Sequence, residues 1–170
     1  MLWLVRAPHA GEDEKLWLAR AREIAALGGF GHHTHWTSPT HAWPTGEVDP
    51  AARVRREASF LRKHDLRATH FCGGAWYSDD EVEQVLTELG YVDCTPRGRE
   101  PSEGKLPTTH TIGALARAVL SPRLPRYVHA YFHDYDLLDT RRRLALLASL
   151  KLLRARGARP YDLSATASSR

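Results

Sequence analysis

The sequence predicts an α/β fold in which parallel strands are joined by right-handed helical crossovers. Three observations carry this. Amphipathic helical blocks alternate with short apolar runs from end to end. The joints between them are short and rich in Gly, Pro, Asp and Ser. Helix starts carry capping residues at the right offsets. Strand–helix–strand repetition with short joints favours parallel pairing. A barrel and a doubly wound sheet both satisfy it, and in either the functional groups collect at the C-terminal strand ends.

Residues 12–27 read as the first helix, with Trp17, Ala21, Ile24 and Leu27 on one face. Gly28-Gly29 ends it, and a short strand from Phe30 to His33 follows. Residues 36–48 form a loop rich in Pro, Thr and His. Asp49-Pro50 then supplies a cap and a proline at the first helical position. That helix runs to about His64, with Val54, Ala58 and Leu61 inward. Arg67 to Cys72 reads as a strand broken by Gly73-Gly74. Ser78 and Glu81 have capping-box spacing, and Val82, Val85, Leu86 and Leu89 form the stripe that follows. Gly90 closes that helix, and Tyr91 to Cys94 is the next strand.

Residues 96–108 read as a loop, and Ile112 to Leu120 as a helix. Arg126 to Phe132 has the clearest strand pattern in the chain. Asp139 can cap a last helix that presents Leu144, Leu147 and Leu150 and ends near Gly157. Residues 161–163 suggest a final short strand. One domain over residues 1–163 is expected, with a disordered tail from 164 to 170.

The chain has 170 residues, enough for one compact core, and its 42% hydrophobic and 26% charged residues are ordinary for a soluble protein. No apolar run spans a bilayer, and Met1–Arg6 is too short for a signal-peptide core. A cytoplasmic, membrane-free protein is therefore expected. The net charge of +4 comes from arginines on helical blocks, without the interleaved aromatics of a nucleic-acid surface, so no nucleic-acid partner is expected. Cys72 and Cys94 each follow a strand and are expected to be a reduced, neighbouring pair.

Histidine stands out, with 10 in the chain and His32, His33, His35 and His41 close together. If the backbone is still extended there, His33 and His35 point to one side and can share a divalent ion. Exposed loop histidines are the alternative. Gly73-Gly74 allows backbone to approach a ligand or a tight turn, and Trp76 and Tyr77 can form a wall against a sugar ring or simply pack. His129, Tyr131 and His133 share one face of the 126–132 run, and Val128, Ala130 and Phe132 the other. His133, at its end, is a candidate general acid or base. Asp93 also ends a strand, where it can orient a histidine or cap a turn.

In this order, the pieces resemble polysaccharide deacetylases of the NodB-homology (carbohydrate esterase) type. The run His33-Thr34-His35-Trp36-Thr37-Ser38-Pro39 resembles the histidine motif in an H-x-H variant. Phe71 to Tyr77 resembles the glycine-rich motif, Asp93 stands where a further motif ends its strand, and Tyr131-Phe132-His133-Asp134 resembles the last motif.

The resemblance implies a distorted, incomplete (β/α) barrel that binds a divalent metal, with zinc the expected ion. It implies metal-assisted removal of acetyl groups from an N- or O-acetylated carbohydrate or other small acetylated substrate. It assigns His33 and His35 as metal ligands, with His133 and Asp93 catalytic. Trp36, Gly73, Gly74, Trp76 and Tyr77 are placed against substrate. Three departures accompany it. The family's opening strand ends in paired aspartates, and Met1–Gly11 contains none, so an N-terminally truncated domain of low activity is implied. The two histidines are spaced by two rather than four, leaving His35 or His41 as the second ligand. Cys72 stands where an arginine is common. A non-catalytic carbohydrate-binding relative is the alternative.

Overall fold

A computed structural model describes residues 1–95, 101, 102 and 104–160, so the expectations for 161–170 and for part of the 96–108 loop lie outside the described residues. These residues form two compact units. The first holds residues 1–95 with 104 and 105, the second residues 101, 102 and 106–160.

The first unit is a mixed α/β layer built on a four-stranded parallel sheet. Its strands are β1 (Leu2–Arg6), β2 (Gly29–Thr34), β3 (His70–Gly73) and β4 (Val92–Asp93), hydrogen-bonded in the order β1-β2-β3-β4. The crossovers are α1 (Glu14–Leu27), α2 (Pro50–Lys63) and α3 (Asp80–Leu89). Strand order follows chain order without reversal, so the sheet has no topological switch point of the doubly wound kind.

The helices bury one face of the sheet. Phe30 meets Leu18, Ala21, Leu61 and Leu66, with Val5 alongside. Phe71 meets Val54, Ala58, Val82, Val85 and Leu86, with Trp36 and Tyr91 closing the cluster. Val54, Ala58 and Leu61 are fully buried, as the helical spacing requires. Asp49 caps α2 by accepting from Ala52 N at 2.8 Å, and Pro50 stands at its start.

Local expectations fail at three points here. Leu2–Arg6 is a strand, which the sequence reading left unassigned. Asp79, not Ser78, caps α3, because its Oδ1 lies 2.8 Å from Val82 N. Leu27 is 75% exposed, and the inward residues of α1 are Leu18 and Ala21.

The second unit contains α4 (Ile112–Leu120), α5 (Asp134–Leu138) and α6 (Thr140–Ala155). Asp139 caps α6 through bonds from Arg141 N and Arg142 N. Two corrections follow. Residues 126–132 form no strand, only a single bridge from His110 to Ala130. The partner segment is too short for a ladder, since α4 begins at Ile112. The alternation itself holds, because Val128, Ala130 and Phe132 pack against Ile112, Leu115, Val119 and Leu146. The leucines singled out on α6 from the sequence are not its packing face. Leu144, Leu147 and Leu150 are exposed, while Leu146 and Ser149 are buried with Ala145, Leu152 and Leu153 beside them. A strict three-residue spacing drifts around a 3.6-residue helix, whereas 145/146/149/152/153 stays on one side.

Among the described residues, no helix is long and apolar enough to cross a membrane.

Candidate functional site

The C-terminal ends of the four strands bring together most of the unusual residues of the first unit. Register decides which of them share a face. Arg6 pairs with His33, His33 with Cys72, and Phe71 with Asp93. Partners on parallel strands point the same way, and consecutive residues point oppositely. Arg6, His33 and Cys72 therefore share one face. Val5, His32, Phe71 and Asp93 share the other, which α1–α3 cover.

His33 and His35 come together as the alternation predicts. Their ring centroids are 4.9 Å apart, with the planes nearly perpendicular at 79°. His33 Nδ1 lies 2.7 Å from the Cys72 carbonyl oxygen, and His35 Nδ1 lies 2.7 Å from the Pro39 carbonyl oxygen. A carbonyl only accepts, so each Nδ1 must carry the proton and donate it. In the neutral form of such a ring the lone pair lies on Nε2. Metal-binding imidazoles are commonly oriented in this way, with one ring nitrogen tied to a carbonyl. His41 instead closes the loop after His35 through its backbone, donating to Ser38 O and accepting from Thr37 N and Ser38 N. Of His35 and His41, it is His35 whose ring stands beside His33. Among the described residues, no third His, Cys, Asp or Glu joins them in a ligand set.

The residues fit a divalent ion to this extent: two adjacent imidazoles oriented through Nδ1, at the strand ends where ligands of parallel sheets bind. They supply two of the three or four ligands that zinc takes from protein.

Asp93 does not belong to this face. Its side chain emerges beside Phe71, and its Oδ1 accepts from Thr95 N at 2.8 Å, closing a turn. Its Oδ2 has no hydrogen-bond partner. Burial raises the carboxyl above its ordinary value, and the hydrogen bonds from Thr95 only partly offset this. The turn-capping alternative is therefore the one observed, and the catalytic assignment of Asp93 is corrected on that ground. Asp93→Asn is expected to leave zinc affinity unchanged while altering stability, as separate metal and denaturant titrations would read.

Gly73 and Gly74 are required by space. A Cβ on Gly73 would overlap the Tyr77 carbonyl oxygen, and one on Gly74 would overlap the Thr34 carbonyl oxygen and stand 2.9 Å from Ala42 O. All three are backbone atoms that no rotamer can move aside. Gly74→Ala is expected to cost about 1–3 kcal/mol in a denaturant titration. The next residues, Ala75 and Trp76, both have positive φ, 52° and 61°. For a bulky residue this is a strained conformation, held by the structure around it.

The aromatic residues divide. Trp36 is completely buried and donates Nε1 to Gly74 O at 3.0 Å, so it belongs to the core and its expected contact with substrate is corrected. Tyr77 and Trp76 are half-buried. Tyr77 stands between Trp36 at 5.5 Å and Trp43 at 5.8 Å, and its hydroxyl donates to Asp79 at 2.6 Å. Trp43 is exposed, so Trp43 with Tyr77 forms an accessible aromatic surface. The sequence reading passed over Trp43 because it sits in an unstructured-looking Pro/Thr loop.

A buried polar network, also missed, supports the histidine strand from behind. Glu57 Oε2 accepts from His32 Nε2 at 2.9 Å and from Thr34 Oγ1 at 2.8 Å, while Oε1 accepts from Arg53 Nε at 2.8 Å. Arg53 also donates to Trp36 O at 2.7 Å and reaches the His9 ring at 3.1 Å. Burial alone would raise the Glu57 carboxyl, but His32, Thr34 and Arg53 outweigh it and hold it below the usual range. His9 too is held below its ordinary imidazole value, by burial, Arg53 and Arg6. A cleft of about 360 Å³ opens beside this network, lined by His9, Glu12, Arg56, Glu57 and Phe60 among others. The visible clue was in β2, since alternate polar residues in a buried strand need partners.

His133 lies in the second unit. It caps α5 rather than ending a strand, a further correction that follows from the missing ladder. Its ring stacks on Tyr135 at 4.8 Å and is 3.6 Å from Asp136, which also pairs with Arg142.

No family model, no characterised protein and no solved structure matches this chain.

Proposed function

We propose that the first unit is the metal-binding part of a NodB-type hydrolase that removes acetyl groups from acetylated carbohydrates. The carrying observation is the His33–His35 pair, with both Nδ1 atoms committed to carbonyls. The strand order β1-β2-β3-β4, with α1–α3 on one face, supports reading the sheet as part of a (β/α) barrel. His33 and His35 would hold the ion through Nε2. A bound zinc supplies Lewis acidity, lowering the pKa of its water and polarising the acetamide carbonyl.

The chain's own residues do the rest. Cys72 O and Pro39 O fix the two rings. Gly73 and Gly74 bring backbone, rather than side chain, to the strand tip. Trp43 and Tyr77 offer ring faces to a pyranose, which aromatic side chains stack against through their apolar faces. With two imidazole ligands from this strand end, slow turnover is expected.

The test is acetate release from an N-acetylated chitin oligomer by the zinc-loaded chain. Release that His33→Ala abolishes is the expected result. A zinc-loaded chain that neither binds nor deacetylates a panel of acetylated sugars contradicts the reading. A second reading, glycan binding without catalysis, draws on the exposed Trp43–Tyr77 surface. It predicts sugar binding that survives chelation of the metal and is lost in Trp43→Ala.

A further inference from the structure

We propose that Cys72 and Cys94 are a redox modification site, closing to a reversible cross-strand disulfide that weakens the neighbouring histidine pair. The geometry of β3 and β4 places them together. Phe71 pairs with Asp93, and Cys94 N donates to Phe71 O at 2.7 Å, so Cys72 and Cys94 are the next partners and point to one face. Neighbouring strands stand about 4.8 Å apart, within the Cα separations of roughly 4.4–6.8 Å that disulfides span.

Both residues are buried thiols, Cys72 at 8% exposure and Cys94 at 0%. Burial leaves both sulfurs little access to solvent, which makes the pair slow to react under ordinary conditions. The residual exposure of Cys72 sets the order of events. Its thiolate attacks a low-molecular-weight disulfide such as oxidised glutathione, forming a mixed disulfide and releasing one glutathione thiolate. Cys94 then attacks the Cys72 sulfur, the new S–S bond forms, and the second glutathione leaves. Two thiols lose two electrons and two protons, and one glutathione disulfide becomes two glutathione thiols.

The consequence passes through one atom. Cys72 O accepts the proton of His33 Nδ1 at 2.7 Å. Drawing the two sulfurs to a bond of about 2.05 Å shifts β3 at that residue. The His33 ring then loses its support. This consequence rests on the metal reading proposed above, whereas the disulfide itself does not.

The experiment equilibrates the full chain in glutathione redox buffers, then measures intact mass, peptide linkage and zinc affinity. The expected result is a loss of about 2 Da, a single Cys72–Cys94 linkage and reversal by dithiothreitol. Zinc affinity should fall about tenfold on oxidation, the scale of losing an outer-shell partner. Cys94→Ser should keep the zinc affinity of the reduced chain and make it insensitive to oxidant. A folded chain that retains both thiols across the buffers, or stops at glutathione adducts, overturns the disulfide. A disulfide that leaves zinc affinity unchanged overturns the coupling. Failure of the reduced chain to bind zinc removes the metal reading, while the mass result stands apart from it.

Discussion

Replacing either His33 or His35 with alanine is expected to weaken zinc binding by at least about a hundredfold. Removing an outer-shell partner of a metal ligand typically costs about 10–100-fold, and removing the ligand itself costs no less. The effect should be large for both residues because the described chain offers two imidazoles and no third ligand beside them. Neither variant should unfold the protein, since both side chains are half-exposed and away from the helix-covered core. A competition titration against a chromophoric chelator measures the loss, and far-ultraviolet circular dichroism checks the fold. His41→Ala serves as the comparison and should change affinity little.

Glu57→Ala is expected to destabilise the protein by about 3–5 kcal/mol, the cost of removing one partner from a buried ion pair. The carboxylate is 11% exposed and takes hydrogen bonds from three side chains. Its loss leaves Arg53, 17% exposed, without its carboxylate and strands His32, which is fully buried. By contrast, Glu12→Ala removes a better-exposed partner of Arg6 and should cost no more than about 1 kcal/mol.

The pH dependence has a definite sign. The Glu57 carboxyl titrates below its ordinary value in the folded state, so folding favours its charged form. Its contribution is fully present above the unfolded glutamate pKa of about 4.3 and is lost as pH falls through the folded value. Urea titrations at neutral and acidic pH should show the stability gap between wild type and Glu57→Gln narrowing as the solution is acidified.

These two sites show what the sequence discloses and what it withholds. α2 was legible almost to the residue, because Asp49, Pro50 and an apolar stripe agree on its start and its face. The His33/His35 pairing was legible too, because alternation along one strand is a local property. Asp93 was not, because its face depends on the register of β4 against β3, and no single-strand periodicity encodes that. Trp36 reads like a ligand-facing aromatic until α2 and β3 close over it. β1 was passed over because Leu2–Arg6 has neither alternation nor a turn signal before it. Residues 126–132 have the converse history. Their alternation is real, but a strand also needs a partner, and only the short segment before α4 is there to pair with them. Glu57 looks like any surface glutamate of a helix until His32, 25 residues earlier, is placed against it.

The most direct test is a long-range ¹H–¹⁵N correlation spectrum of the histidine rings, recorded at neutral pH before and after adding zinc. His33 and His35 should both show the Nδ1–H tautomer, and zinc should shift both Nε2 resonances while the His32 ring stays unchanged. Nε2–H tautomers at these two residues, or rings indifferent to the ion, would contradict the assignment of this strand end as a metal site.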